Sequence, residues 1–158
     1  MQKAAYFVNV FYHKKYFSFT AYKYGPYDHS IDIVSKRIRE FQQYHKTKNT
    51  EEAKSILYNK IISNSVNNVI NDLFVPIKQA CQFVNNINDD HELECLSTIC
   101  FLIQQTNSMT DEDIIVGFKV WSEEKSKRFS EQEILDGINK LYLAGIINKD
   151  LMDHYFVV

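Results

Sequence analysis

Residues 130–158 read SEQEILDGINKLYLAGIINKDLMDHYFVV, and their pattern decides the fold class. Ser130 and, three residues later, Glu133 form a capping pattern in front of apolar residues at helical spacing. Gly145 follows the last helical residues, as a glycine at a helix C-terminus does. Two short apolar segments then flank a polar tip at residues 148–153, which is typical of a β-hairpin. The stretch predicts a helix followed by a hairpin, which is how a winged helix ends.

Two predicted helices precede this stretch and complete a winged-helix-like unit over approximately residues 89–158. The first covers residues 89–105, where acidic residues at the start suit the positive end of the helix dipole. The second begins at Thr110, which forms a capping pattern with Asp113.

Upstream of this unit, the sequence predicts further helices and one short strand. Apolar residues at helical spacing indicate helices over residues 2–12 and 28–44, and another that Thr50 caps. Aromatic residues alternate with small ones over residues 17–22, which suits a strand. Pro76 is expected at a junction or in a first helical turn, because an interior proline removes a backbone hydrogen bond.

The composition fits a single domain of 158 residues that is mainly α with a few short strands. The chain is 45% hydrophobic and 24% charged, and its four Gly and two Pro are too few for the turns of an all-β fold. Its three cysteines form no C-x-x-C pair and suit reduced, mostly buried thiols. No apolar run approaches the roughly 20 residues that cross a bilayer, and the first residues do not follow a signal-peptide pattern. We therefore expect a cytoplasmic protein that does not bind a membrane.

No sequence pattern points to catalysis, a metal or a cofactor. The motifs G-x-x-x-x-G-K-[ST], G-x-G-x-x-G, G-x-S-x-G and H-E-x-x-H do not occur. His91, Glu92, Glu94 and Cys95 form the densest set of metal-ligand types, but a cysteine on a helical apolar stripe is more often buried in the core. We expect a protein that is not an enzyme, binds no metal and needs no cofactor.

Charge is distributed unevenly along the chain. Residues 1–60 hold eleven Lys and Arg against five Asp and Glu, whereas residues 61–158 hold seven against fifteen. Such asymmetry can steer a charged partner to one side of the molecule, although ordinary solvation of helical faces explains it equally well. Basic residues among exposed aromatics can bind phosphates and bases. They define an alternative, nucleic-acid-binding site at Lys36, Arg37, Arg39, Lys46 and Lys48.

In that alternative, the protein is a winged-helix transcriptional regulator. The helix that would enter the major groove carries Glu131, Glu133 and Asp136, with Lys140 as its positive residue. Duplex DNA would repel such a surface. The pattern therefore favours a protein partner over a nucleic acid.

Five segments together resemble a known family: residues 2–7 (QKAAYF), 24–27 (YGPY), 91–98 (HELECLST), 120–130 (VWSEEKSKRFS) and 141–147 (LYLAGII). They resemble the C-terminal toxin-binding domain of DarG-type antitoxins, which are bacterial macrodomain proteins that remove ADP-ribose from DNA. The layout is also similar to Panacea-type (SocA-like) antitoxin domains. Nothing in the chain resembles the ADP-ribose-binding loops of the macrodomain.

This resemblance implies a helical, winged-helix-related domain that binds and neutralises a partner toxin. The YGPY segment, expected as a tight turn, and the segment 121–129 supply the expected contacts. The candidate partner-binding residues are Tyr24, Gly25, Pro26, Tyr27, His29, Trp121, Lys125 and Phe129. The residues alone leave a second interpretation open, in which the tyrosines of the turn pack on neighbouring helices.

Overall fold

The computed structural model describes residues 1–47, 49–61 and 63–158, and this part of the chain is mainly helical. The helices are α1 (Gln2–Tyr12), α2 (His29–His45), α3 (Thr50–Ile61), α4 (Asn64–Val84), α5 (Asp90–Thr106), α6 (Asp111–Trp121), α7 (Glu123–Arg128) and α8 (Glu131–Leu143). The strands are β1 (Thr20–Tyr22), β2 (Gly25–Tyr27), β3 (Ile147–Lys149) and β4 (Tyr155–Val157). They form two antiparallel sheets, β1–β2 and β3–β4.

Helix α5 lies at the centre of the core. Its residues Leu96, Ile99 and Ile103 are fully buried, because α1, α6, α8, β2 and β4 all pack against it. Burying one such side chain contributes about 1.5–3 kcal/mol to folding. Asp89 caps the helix, since its carboxylate accepts a hydrogen bond from the backbone N–H of Glu92 at 2.8 Å. The helix therefore provides a fixed base for the elements around it.

The helix and the hairpin predicted for residues 130–158 are both present. Ser130 forms the expected capping box at the start of α8, and Gly145 after its end has a φ of 68°. Between α5 and α6, Met109 pairs with Tyr155 of β4 through backbone hydrogen bonds of 3.1 and 2.8 Å. From α5 onward, the order of elements is therefore helix α5, the single bridging residue Met109, helices α6, α7 and α8, and the β3–β4 hairpin.

Pro76 does not lie at a junction, contrary to expectation. It is buried inside α4, which continues from Asn64 to Val84. An interior proline costs about 3 kcal/mol, but α4 packs along α1 and buries its own apolar face there. The ring of Phe83 lies 4.8 Å from that of Phe7 and 6.2 Å from that of Phe11. Tertiary burial therefore outweighs the local preference.

The YGPY segment is mostly a strand and not the turn itself. Strands β1 and β2 pair with Tyr22 opposite Gly25, so the connecting loop consists of Lys23 and Tyr24 alone. Gly25 has a φ of 108°, which residues with a Cβ rarely adopt. Pro26 is tolerated because β2 is an edge strand of a two-stranded sheet.

Asp28 caps α2 and also fixes the segment that precedes the hairpin. Its carboxylate accepts hydrogen bonds from the backbone N–H groups of Ser30 and Ser18, each at 2.7 Å. At the start of α3, by contrast, the capping side chain belongs to Asn49 and not to the expected Thr50. Asn49 lies one residue before the helix, where an amide oxygen reaches the N–H groups of the first turn.

Replacing Asp28 by alanine is expected to reduce the free energy of unfolding by about 1–3 kcal/mol at pH 7, because two backbone N–H groups lose their acceptor. Burial raises the pKa of this carboxyl, but the hydrogen bonds from Ser30 and Ser18 reverse that effect and hold it below its usual 3.8. A carboxyl of this kind stabilises the fold above pH 3.8 and loses its effect as the pH falls through the folded value. Urea denaturation between pH 7 and pH 3 measures the difference. A difference that stays constant down to pH 3 would contradict the assignment.

Candidate partner-binding site

Two segments that are distant in sequence, the β1–β2 hairpin and residues 121–129, meet beside α5. Trp121 Nε1 donates a hydrogen bond to the backbone oxygen of Tyr22 at 2.9 Å. The guanidinium of Arg128 lies 5.4 Å from the centre of the Tyr24 ring. The structure therefore brings together two segments that the sequence had singled out separately.

A buried ionic network lies underneath this junction. Glu94 Oε1 is 2.9 Å from Lys125 Nζ, and Glu94 Oε2 is 3.2 Å from Arg128 Nη2. Lys125 also donates to Thr98 Oγ1 at 3.0 Å. The side chains of Lys125 and Glu94 are 0% and 5% exposed. Burial lowers the pKa of Lys125, while the hydrogen bond to Glu94 acts in the opposite direction.

Three aromatic rings surround the ammonium group of Lys125. Its Nζ lies 5.7 Å from the ring centre of Phe118 and 5.3 Å from those of Trp121 and Phe129. Cation–π attraction of this kind grows as water is excluded. Lys125 and Phe129 are buried, so a partner cannot touch them in this conformation. They instead fix the positions of Trp121 and Arg128, which are partly exposed.

The hairpin rests on α5 through its backbone. Gly25 and Pro26 are buried, and a Cβ on Gly25 would lie 3.3 Å from Thr98 Oγ1. The tyrosines point the other way, since Tyr22 is 60% and Tyr24 is 46% exposed. The hairpin thus presents aromatic rings to solvent on a backbone that is held close to the core.

Tyr27 and His29 extend this region towards the start of α2. Tyr27 Oη donates a hydrogen bond to Asp32 at 2.7 Å and lies 3.3 Å from His29 Nδ1. That hydrogen bond is the main reason why the pKa of Tyr27 is raised. The Tyr27 ring also lies 4.9 Å from that of Tyr22. We call the accessible side chains of this region the hairpin surface, comprising Tyr22, Tyr24, His29, Trp121 and Arg128.

Sequence reasoning missed Tyr22, Arg128 and Glu94. Tyr22 lies in the alternating segment 17–22, where the pattern predicted the strand but not which rings stay exposed. Arg128 and Glu94 lie inside the segments that carry the family resemblance. A glutamate between apolar residues of a buried helix is the signal that could have indicated an internal ion pair, because a buried charge needs a partner.

The residues of the alternative site lie along α2 and just beyond it. Lys36 and Arg37 share one carboxylate, with nitrogen-to-oxygen distances of 4.0 and 3.2 Å to Glu40. Arg39 Nε donates to the backbone oxygen of Ser35 at 3.3 Å. Lys46 ends α2 in the left-handed conformation, with a φ of 50°. The remaining residue, Lys48, lies outside the described residues.

The predicted recognition helix α8 carries acidic residues that are engaged with neighbouring side chains. Glu131 pairs with Lys119 at 2.7 Å, and Glu133 pairs with His91 at 3.1 Å. The His91 ring stacks on the Phe129 ring, with 4.3 Å between the ring centres. In the sequence cluster that is richest in metal-ligand residue types, this histidine is therefore engaged in packing. Among residues 1–47, 49–61 and 63–158, no group of three or more His, Cys, Asp or Glu is arranged to hold a metal ion.

The three cysteines are free thiols. Cys95 and Cys100 are buried as expected, and burial raises the pKa of Cys95 to about 12. Cys81, on α4, is exposed. No helix in the described part of the chain combines the length and the hydrophobicity that crossing a bilayer requires.

Comparison with protein-family models, with curated proteins and with solved structures found no significant match to this chain. Its candidate site is therefore defined by its own geometry. That geometry consists of exposed aromatic and basic side chains held in place by a buried ionic network.

Proposed function

We propose that this protein is a non-enzymatic, antitoxin-like module that binds and neutralises a partner toxin in the bacterial cytoplasm. The observation that carries the proposal is the hairpin surface, whose exposed tyrosines stand on the Glu94–Lys125–Arg128 network. Free cysteines in this number agree with a reducing compartment. The family resemblance of the sequence supports the same role.

The chemistry of the hairpin surface suits a protein partner. Tyrosine, tryptophan and arginine are the residues most enriched among those that dominate binding energy in protein interfaces. A surface that is already rigid loses little conformational entropy when it binds. The buried ion pair supports this interpretation, because such pairs contribute more to a defined arrangement than to net stability in some proteins.

We further propose that α5, α6, α8 and the β3–β4 hairpin form a winged-helix-like unit. The order of elements and the pairing of Met109 with β4 support this assignment. In such a unit α8 would be the recognition helix. Its glutamates argue for a protein contact in place of a DNA contact, because they would face phosphates in a duplex.

The proposal is tested by co-expression with the neighbouring gene, since antitoxins usually lie beside their toxins. Expression of the neighbour alone is expected to arrest growth, and co-expression of this chain is expected to restore it. The two proteins should then copurify at high salt after nuclease treatment. A neighbour that is harmless, or one whose toxicity is unchanged by this chain, would contradict the antitoxin role.

The double variant Tyr24→Ala/Arg128→Ala is expected to weaken the complex at least tenfold, because Tyr24 contributes an exposed ring and Arg128 a partly exposed guanidinium. Titration calorimetry with the purified partner measures the loss. Tyr44→Ala is the matched control, since Tyr44 is an exposed tyrosine on α2, 82% accessible, outside the hairpin surface. If the double variant and the control bind the partner with equal affinity, the hairpin surface is not part of the interface.

The nucleic-acid alternative predicts a different outcome in the same purification. Nucleic acid alone would be recovered, and high salt would release it. Replacing Lys36, Arg37 and Arg39 by alanine would abolish its recovery. This result would support the alternative in which the protein is a winged-helix transcriptional regulator.

A further inference from the structure

A groove of about 640 Å³ lies between the end of α1, the loop that follows it, the end of α5 and strand β4. Its wall is aromatic: the ring of Phe19 lies 5.2 Å from that of Tyr6 and 6.0 Å from that of Phe17. Phe101 lies 6.2 Å from Tyr6 on the α5 side. No residue of the hairpin surface lines this groove.

The rim of the groove is basic. His13, Lys14 and Lys15 line it and are exposed, and the lining contains no acidic side chain. Among the described residues, no carboxylate lies within salt-bridge distance of these three. Lys14 extends over the ring of Tyr12 instead, at 5.2 Å. The two lysine charges, which have no acidic partner beside an apolar wall, favour an anion that also carries an apolar part.

Strand β4 offers main-chain groups at the same groove. The N–H of Asp150 donates to the backbone oxygen of His154, and the N–H of Val158 donates to that of Ile146, so the backbone groups of residues 154 and 158 face the β3 side. Because this orientation alternates along a strand, the backbone groups of residues 155 and 157 face away from β3. Tyr155 uses this side to pair with Met109. Val157 lines the groove, and in the described part of the chain no backbone group outside β3 pairs with it. The main-chain groups of Val157 can therefore pair with a peptide that lies extended beside β4.

We propose that this groove binds an acidic peptide segment that carries an aromatic or large aliphatic side chain and lies extended beside β4. Carboxylates of the segment pair with Lys14 and Lys15, and its apolar side chain packs against Phe17 and Phe19. The site goes beyond the proposed function, because it shares no residue with the hairpin surface. It gives the protein a second, charge-selective contact with a protein ligand.

The test is a selection from a random decapeptide phage library against the full chain, followed by fluorescence anisotropy with the selected peptide. We expect sequences rich in Asp and Glu that contain an aromatic residue. The charge-reversed variant Lys14→Glu/Lys15→Glu should bind at least tenfold more weakly. Affinity should also fall between 50 and 500 mM NaCl, because exposed ion pairs are screened.

The matched control is Lys36→Glu/Arg37→Glu, which changes the net charge equally on exposed α2 and should keep peptide affinity within threefold. The variant Tyr24→Ala/Arg128→Ala should bind the peptide normally, which separates this site from the hairpin surface. A selection without acidic enrichment, or an equal loss in the α2 control, would overturn the proposal. Displacement of the peptide by ATP with a higher affinity would assign the groove to a nucleotide instead.

Discussion

Replacing Glu94 by leucine is expected to reduce the free energy of unfolding by about 3–5 kcal/mol, which is the usual cost of breaking a buried ion pair on one side. The change removes the carboxylate that pairs with both Lys125 and Arg128. It leaves the ammonium group of Lys125 buried, with Thr98 as its remaining hydrogen-bond acceptor among the described residues. Urea denaturation followed by circular dichroism at pH 7 measures the loss.

The double variant Glu94→Leu/Lys125→Met tests the cause of this loss. It removes both buried charges and should recover at least half of the lost stability, because apolar replacements of a buried ion pair are often neutral or stabilising. Glu123→Leu is the matched control, since its pair with Lys127 is exposed on both sides and screened by solvent. A loss below about 1 kcal/mol for Glu94→Leu would show that water reaches the network.

Replacing Gly25 by valine is expected to destabilise the fold by about 2–4 kcal/mol and to displace the hairpin. The φ of 108° strains any β-branched residue, and the new side chain would collide with Thr98, whose Oγ1 lies only 3.3 Å from a Cβ at this position. Thermal unfolding measures the stability. The fluorescence of Trp121 reports the hairpin, because its indole N–H is bonded to Tyr22.

Gly145→Val separates the two causes. Gly145 also has a positive φ, of 68°, but a Cβ there would meet no atom within 4 Å. This variant should lose about 1–2 kcal/mol from backbone strain alone and should leave the Trp121 spectrum unchanged. If both variants behave alike, close packing of the hairpin on α5 does not determine the effect.

The helices that begin with strong local signals could be predicted from the sequence. The capping boxes at Thr110 and Ser130 both form, and α6 and α8 begin directly after them. Pro76 was assigned wrongly. Its place inside a helix depends on the packing of α4 along α1, and the local preference of proline does not contain that information.

The candidate site was predictable in part. The segments 24–29 and 121–129 were identified, but their meeting was not, because Trp121 and Tyr22 are 99 residues apart. The burial of Lys125 was equally out of reach, since a lysine among charged neighbours such as Glu124 and Lys127 indicates a solvated helix. Only tertiary contacts place it between three rings.

The N-terminal elements are synthesised well before the residues that they contact in the folded protein. Tyr6 bonds to Gln104, and Tyr22 accepts its bond from Trp121. At about 5–20 residues per second, the ribosome needs roughly another 5–20 s to reach Arg128 after it has made the hairpin. For most of this interval α5, on which the YGPY strand docks, has not been completed. The hairpin surface can therefore form only after Arg128 has been synthesised, so a translation product that ends before this residue would lack it.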